Sequence, residues 1–126
     1  MVVFVYHINM EKELLKNIKT FWSSAELVYK TEDYTSATIL YFKCFFVALD
    51  YLLLKRTGKT PKDHTERFRM LEKDLPEIYK VLDKYFPLYR DTYSLNIEKY
   101  KCDEVKKHVA DCIKKQGIET EGKGIF

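Results

Sequence analysis

From Ala37 to Leu54 every position is apolar or aromatic except Thr38, Lys43 and Asp50. Read as a helix, Lys43 and Asp50 fall in a narrow strip with Ser36 and Thr57, because positions 36, 43, 50 and 57 repeat every seven residues, close to two turns. A helix apolar round nearly its whole circumference sits centrally in a bundle or lies in a membrane. A bilayer span would place Lys43 and Asp50 in hydrocarbon at about 2.5–3.5 kcal/mol each on the insertion scale, and no other stretch reads as a span. The pattern therefore predicts a central helix over 33–57 with Thr31 or Asp33 as its N-cap and Gly58 at its end, and no membrane. Its apolar face exceeds what one small bundle covers, so a second subunit is expected on the remainder.

The flanking pattern supplies the other helices. Leu14, Leu15, Ile18, Phe21, Trp22, Ala25, Val28 and Tyr29 recur at helical spacing, predicting a first helix over 8–30 with Asn9 as a possible N-cap. Residues 1–6 have strand-forming composition without a partner strand, so an ordered arm or an early helical turn is expected there. Asp63 and Glu66 have capping-box spacing and start a third helix that carries Phe68, Leu71 and Leu75 inward. Pro76 then imposes a kink or break, with Asp74 read as a fresh cap. Ile78, Tyr79, Val81, Leu82, Tyr85 and Phe86 continue an amphipathic helix to Pro87, which is expected to start another short helix over 87–93. After an irregular stretch, Cys102, Val105, Val109, Cys112 and Ile113 define a last helix over 102–116, stopped by Gly117. No strand finds a partner. The fold expected is an all-α up-and-down bundle of about five helices, forming one domain over 1–117 with a mobile tail over 118–126.

Length and composition fit a single core-bearing domain, with 126 residues, 46% hydrophobic and 33% charged. The start of the chain lacks the basic region and cleavage site of a signal peptide, so a cytoplasmic location is expected. Cys44, Cys102 and Cys112 are odd in number and far apart, and read as buried small apolar residues. No glycine-rich phosphate loop, HExxH, CxxC or serine elbow is present. His108 and Cys112, four apart, have a spacing that can ligate a metal, but Cys112 lies on the apolar seam and two helical ligands recur by chance. Neither metal nor cofactor is expected.

Charge changes the picture in one segment. The net charge is only +3, yet Lys55, Arg56, Lys59, Lys62, Arg67 and Arg69 crowd one stretch against Asp63 and Glu66. These bases surround the start of the third helix, where free N–H groups and the helix dipole favour anions. Lys59, Lys62, His64 and Arg67 are thus candidates for binding a phosphate, against the alternative of a solvated loop. Arg90 is a further candidate, set in the aromatic stretch from Tyr85 to Tyr93 and sharing a helix face with Tyr93. Its structural alternative is an ion pair with Asp50, the charge otherwise hardest to place.

The order of Asp33-Tyr34, Ala37, Tyr41-Phe42, Phe45, Ala48, Gly58 and Lys62-Asp63-His64 resembles the HEPN domain family in its small stand-alone prokaryotic form. The resemblance runs from about Phe21 to Ile113. It implies a four- or five-helix bundle, a homodimer joined through the 33–57 region, and partnership with a nucleotidyltransferase in a toxin–antitoxin pair. Many members are metal-independent ribonucleases carrying an Arg, a polar residue and a His a few residues later. Arg90-Asp91 matches the start of that motif, but Leu95, Asn96 and Ile97 stand where the His belongs. RNA cleavage by 2′-hydroxyl attack needs a general acid and base, and these residues supply neither near neutrality. A subunit binding nucleotide, RNA or a nucleotidyltransferase is therefore expected ahead of an enzyme. A ribonuclease using Arg90 with Asp91, Tyr93, Asn96 or a displaced His64 is one alternative, and a purely structural adaptor is the other.

Overall fold

The computed structural model describes residues 2–120 and 123–126, with side chains from residue 8 onward except at 120 and 123. Among the described residues the regular elements are α1 (Val2–Tyr29), α2 (Tyr34–Thr57), α3 (His64–Asp74), α4 (Pro76–Asp91), α5 (Lys99–Lys115), β1 (Glu119–Thr120) and β2 (Lys123–Gly124). The fold is an all-α bundle built round α2, which packs against each of the other four helices.

The ends of α2 follow from its caps. Asp33 Oδ1 accepts the Ser36 N–H at 3.0 Å, satisfying one of the free donors of the first turn. At the other end Gly58 adopts φ 77°, a left-handed conformation that costs glycine nothing, and its N–H donates to the Leu54 carbonyl at 2.8 Å. Between the caps Tyr41, Phe42, Phe45, Leu49 and Leu53 are at most 2% exposed. Each such side chain contributes about 1.5–3 kcal/mol of burial free energy. Although α2 is long and apolar enough to cross a bilayer by length and composition, most of it is buried against its neighbours. A partly exposed stripe remains at Ser36, Leu40, Val47 and Tyr51, with Lys43 exposed among them.

Several boundaries differ from those the pattern predicts. The first helix begins at Val2, so Asn9 is an interior residue and not a cap; with no strand to pair with, the carbonyls of residues 2–6 find their donors one turn on within the helix. Met1 lies outside the described residues. The α3–α4 break falls where Pro76 demands it, but its hinge is Leu75, which ends α3 and precedes α4 with φ −140° and ψ 64°. Asp74 is the last residue of α3 and caps nothing; α4 has no side-chain cap, and Pro76 occupies its first turn, where a missing N–H is harmless. Pro87 does not start a new helix. It lies inside α4, which continues to Asp91. Pro87 and Asp83 both face solvent, so the carbonyl freed by the proline meets water while Tyr85 and Tyr89 stay buried on the opposite face.

The end of the chain is packed where a mobile tail was expected. Gly117 turns with φ 64°, and a two-residue antiparallel ladder pairs Glu119 with Gly124 and Thr120 with Lys123, contrary to the expectation that no strands pair. The ladder is too short to alter the fold class. Ile118 and Ile125 are buried, and the Phe126 ring meets Trp22 edge-on at 4.4 Å. Burial of Ile118 and Ile125, with the half-exposed Phe126 ring leaning on Trp22, accounts for the ordering. Residues 121–122 of that tail lie outside the described residues.

Candidate functional site

Asp50, the acid set in the apolar α2 helix, is covered by α3. Its carboxylate takes a two-pronged ion pair from Arg67, Nε to Oδ1 at 2.8 Å and Nη2 to Oδ2 at 3.0 Å, with both side chains mostly buried. Asp50 therefore anchors Arg67, not Arg90. Burial raises the Asp50 carboxyl pKa, and the two Arg67 bonds oppose that shift without cancelling it.

The remaining reach of Arg67 goes to its own helix. Arg67 Nη1–H donates to His64 Nδ1 at 2.7 Å, one turn back, while the guanidinium lies over the Phe46 ring at 5.0 Å. A guanidinium can only donate, so Nδ1 must accept, leaving a neutral imidazole with its proton on Nε2. The His64 ring sits in an aromatic cage, 4.7 Å from Phe46, 5.3 Å from Phe86 and 5.8 Å from Tyr89. Burial, followed by the Arg67 charge, holds the His64 pKa below its ordinary value. Tyr89 continues the cage to the surface, where it meets Tyr93 edge-on at 5.9 Å. Burial, aided by hydrogen bonding with Tyr93, pushes the Tyr89 phenol up to about 12.

The other candidates are dispersed. Arg90 is exposed in the last turn of α4, and among the described residues no ion pair or hydrogen bond engages its side chain. Tyr93, three residues on in the turn that follows α4, is 79% exposed, and its backbone N–H donates to the Arg90 carbonyl at 3.2 Å. The Asp91 carbonyl accepts the N–H groups of Ser94 and Leu95 at 3.1 and 2.8 Å, shaping the turn out of α4. Asn96 fastens the following loop to α2: its Oδ1 accepts from the Thr35 hydroxyl at 3.2 Å, and that hydroxyl oxygen accepts the Ile97 N–H at 2.8 Å. Lys59 and Lys62 are exposed beyond the far end of α2, beside a depression lined by Met10, Leu54, Gly58 and Glu66. The length of α2, about 36 Å at 1.5 Å per residue, separates that loop from Asn96. Arg67 and His64 are thus brought together, with Lys62 just ahead of them, its N–H donating to Glu66 of the same first turn of α3 at 3.2 Å. Arg90 and Tyr93 are exposed where α4 ends, and the connection holding Lys59 and Lys62 lies at the opposite end of α2 from Asn96. Phe46, Phe86 and Tyr89 complete the cage; by pattern Phe46 and Phe86 belong to apolar helix faces and Tyr89 to the aromatic stretch before Arg90, none of which marks them as His64 partners. The His64–Arg67 spacing of three was the available signal for it.

Two further polar clusters tie helices together. Glu26 Oε1 accepts from the Tyr41 hydroxyl at 2.6 Å and from Lys106 Nζ at 2.8 Å, joining α1, α2 and α5. Burial raises the Glu26 pKa, but these two bonds outweigh it and the net shift is downward. His108 Nε2 is hydrogen-bonded to Tyr85 Oη at 2.7 Å at the α4–α5 seam. Beside it, burial pushes the half-buried Cys112 thiol up to about 11. Among the described residues no group of three or more His, Cys, Asp or Glu side chains could hold a metal ion.

The arrangement suits binding better than acid–base chemistry. His64 has its lone pair committed to a cation, and a histidine so placed cannot take a proton from a nucleophile without giving up that bond. Comparison of the chain with protein-family models, with curated proteins and with solved structures finds no match.

Proposed function

We propose that the chain is a HEPN-like helical binding subunit. It pairs with a second copy through the 33–57 region and presents Arg90 and Tyr93 to a phosphate-bearing ligand, RNA or nucleotide, either free or carried by a nucleotidyltransferase partner of toxin–antitoxin type. The observation that carries this reading is the contrast between two arginines. Arg67 is committed to Asp50 and His64, whereas Arg90 is exposed and unengaged among the described residues, with the exposed Tyr93 three residues further on. A free guanidinium offers a phosphate a forked donor, and an exposed tyrosine ring offers a base a stacking surface. The missing histidine after Arg90 and the committed lone pair of His64 favour binding over ribonuclease action.

Titrating a labelled single-stranded RNA and a nucleoside triphosphate against wild-type protein and Arg90→Ala tests this. Salt-sensitive binding of at least one probe is expected, weakened by about 3- to 10-fold in the variant, with the RNA left intact. Binding unaffected by Arg90→Ala, or no binding of either probe, contradicts the assignment of the site. Cleavage lost on the same substitution would instead make the chain a ribonuclease.

A further inference from the structure

Arg67 spends two hydrogen bonds on Asp50 and a third on His64, and the third requires His64 to be neutral. We propose that His64 is a pH-sensitive latch between α3 and α2, closed when its Nδ1 accepts from Arg67 and opened when protonation sets an imidazolium against the guanidinium. In the closed state His64 fills the cage of Phe46 from α2 with Phe86 and Tyr89 from α4, so the first turn of α3 is tied to both helices. Protonation converts the 2.7 Å acceptor into a second donor facing a donor, and Arg67 cannot yield by losing its own proton. Arg67 also cannot withdraw freely, because Asp50 holds it by two bonds. The imidazole must therefore leave, removing the tie of the first turn of α3 to the Phe46, Phe86 and Tyr89 cage, while the cap of Asp63 on the Glu66 N–H keeps the helix start formed.

The groups facing His64 oppose one another. Burial disfavours the imidazolium, as do the cations of Arg67 on α3 and Lys43 on α2; Asp50 on α2 and Asp63 at the α3 cap favour it; Tyr89 on α4, with its raised pKa, contributes no charge near neutrality. The net shift is downward from the ordinary value of 6.5. The folded chain thus takes up its proton at lower pH than the unfolded chain. The latch contributes its full stability above about pH 6.5 and loses it as pH falls toward the lowered pKa. The latch rests on the Arg67–His64 hydrogen bond and the aromatic cage and is independent of the ligand proposed for Arg90.

The test uses the full chain. Proton NMR follows the imidazole signals of its three histidines, assigned by single substitution, and urea denaturation compares wild type with His64→Gln at pH ~5.5 and ~7.5. Glutamine can still accept from Arg67 but does not titrate near neutrality. His64 is expected to titrate below its ordinary value. On acidification the wild-type unfolding equilibrium should shift further than that of the variant, by about tenfold for each pH unit separating the folded and unfolded values. Titration at or above the ordinary value, or equal acid sensitivity of the two proteins, overturns the latch. Should His64→Gln not fold, the wild-type titration decides together with Lys43→Gln, which removes an opposing cation and is expected to raise the His64 pKa; a fall or no change there counts against the proposal.

Discussion

Asp50 shows how far a single residue could be read without its neighbours. A lone carboxylate in an otherwise apolar helix must find a cation, because an unpaired buried charge costs several kcal/mol, and that much was legible. Which arginine answers it was not: Arg90 looked semi-buried from its aromatic context, while Arg67 lay in a lysine-rich segment that read as solvated. The pairing is decided by where α3 crosses α2, a tertiary fact that no local spacing encodes. The two arginines should accordingly respond in opposite ways. Asp50→Ala strands the Arg67 guanidinium at a site only 10% exposed and is expected to cost about 3–5 kcal/mol. Arg90→Ala should change stability by less than about 0.5 kcal/mol. Urea denaturation of both variants checks the contrast, and comparable losses would show that Arg90 is a structural residue.

At the scale of elements, legibility tracked how local the determining physics is. The caps of α2 were readable because Asp33 and Gly58 act on backbone groups within one turn. Replacing Gly58 by alanine places a Cβ at φ 77°, where an L-residue is strained by about 1–2 kcal/mol. A lowered urea midpoint of that size is expected for Gly58→Ala, and an unchanged midpoint would mean that the cap is not held in the left-handed conformation. Pro87 misled for the complementary reason. Locally it argues for a helix start, but burial of Tyr85 and Tyr89 on the opposite face carries α4 straight through it. The end of the chain misled likewise: a terminal stretch after the Gly117 stop suggests a mobile tail, whereas the isolated Ile118 and Ile125 are buried and Phe126 leans on Trp22. Residues 2–6 had a sequence suited to strands, and the absence of any partner strand left the helix as the way to satisfy their backbone.

For the whole molecule, the all-α bundle round one apolar helix was legible from periodicity alone, because α2 had to be central. The composition of the candidate site was less so. His64 and Arg67 were named individually, but the aromatic cage that joins them to α4 draws on residues indistinguishable from core by pattern. The feature joining fold to proposed function is the stripe of α2 at Leu40, Val47 and Tyr51 that its own bundle leaves partly exposed, with Lys43 at its centre. An apolar stripe of this kind on a central helix is what the proposed second copy would cover. Light scattering coupled to size exclusion on the purified chain measures this directly. The account predicts a particle of twice the chain mass that reverts to one chain on Val47→Glu, whereas a wild-type particle of one chain mass across the accessible concentration range would contradict it.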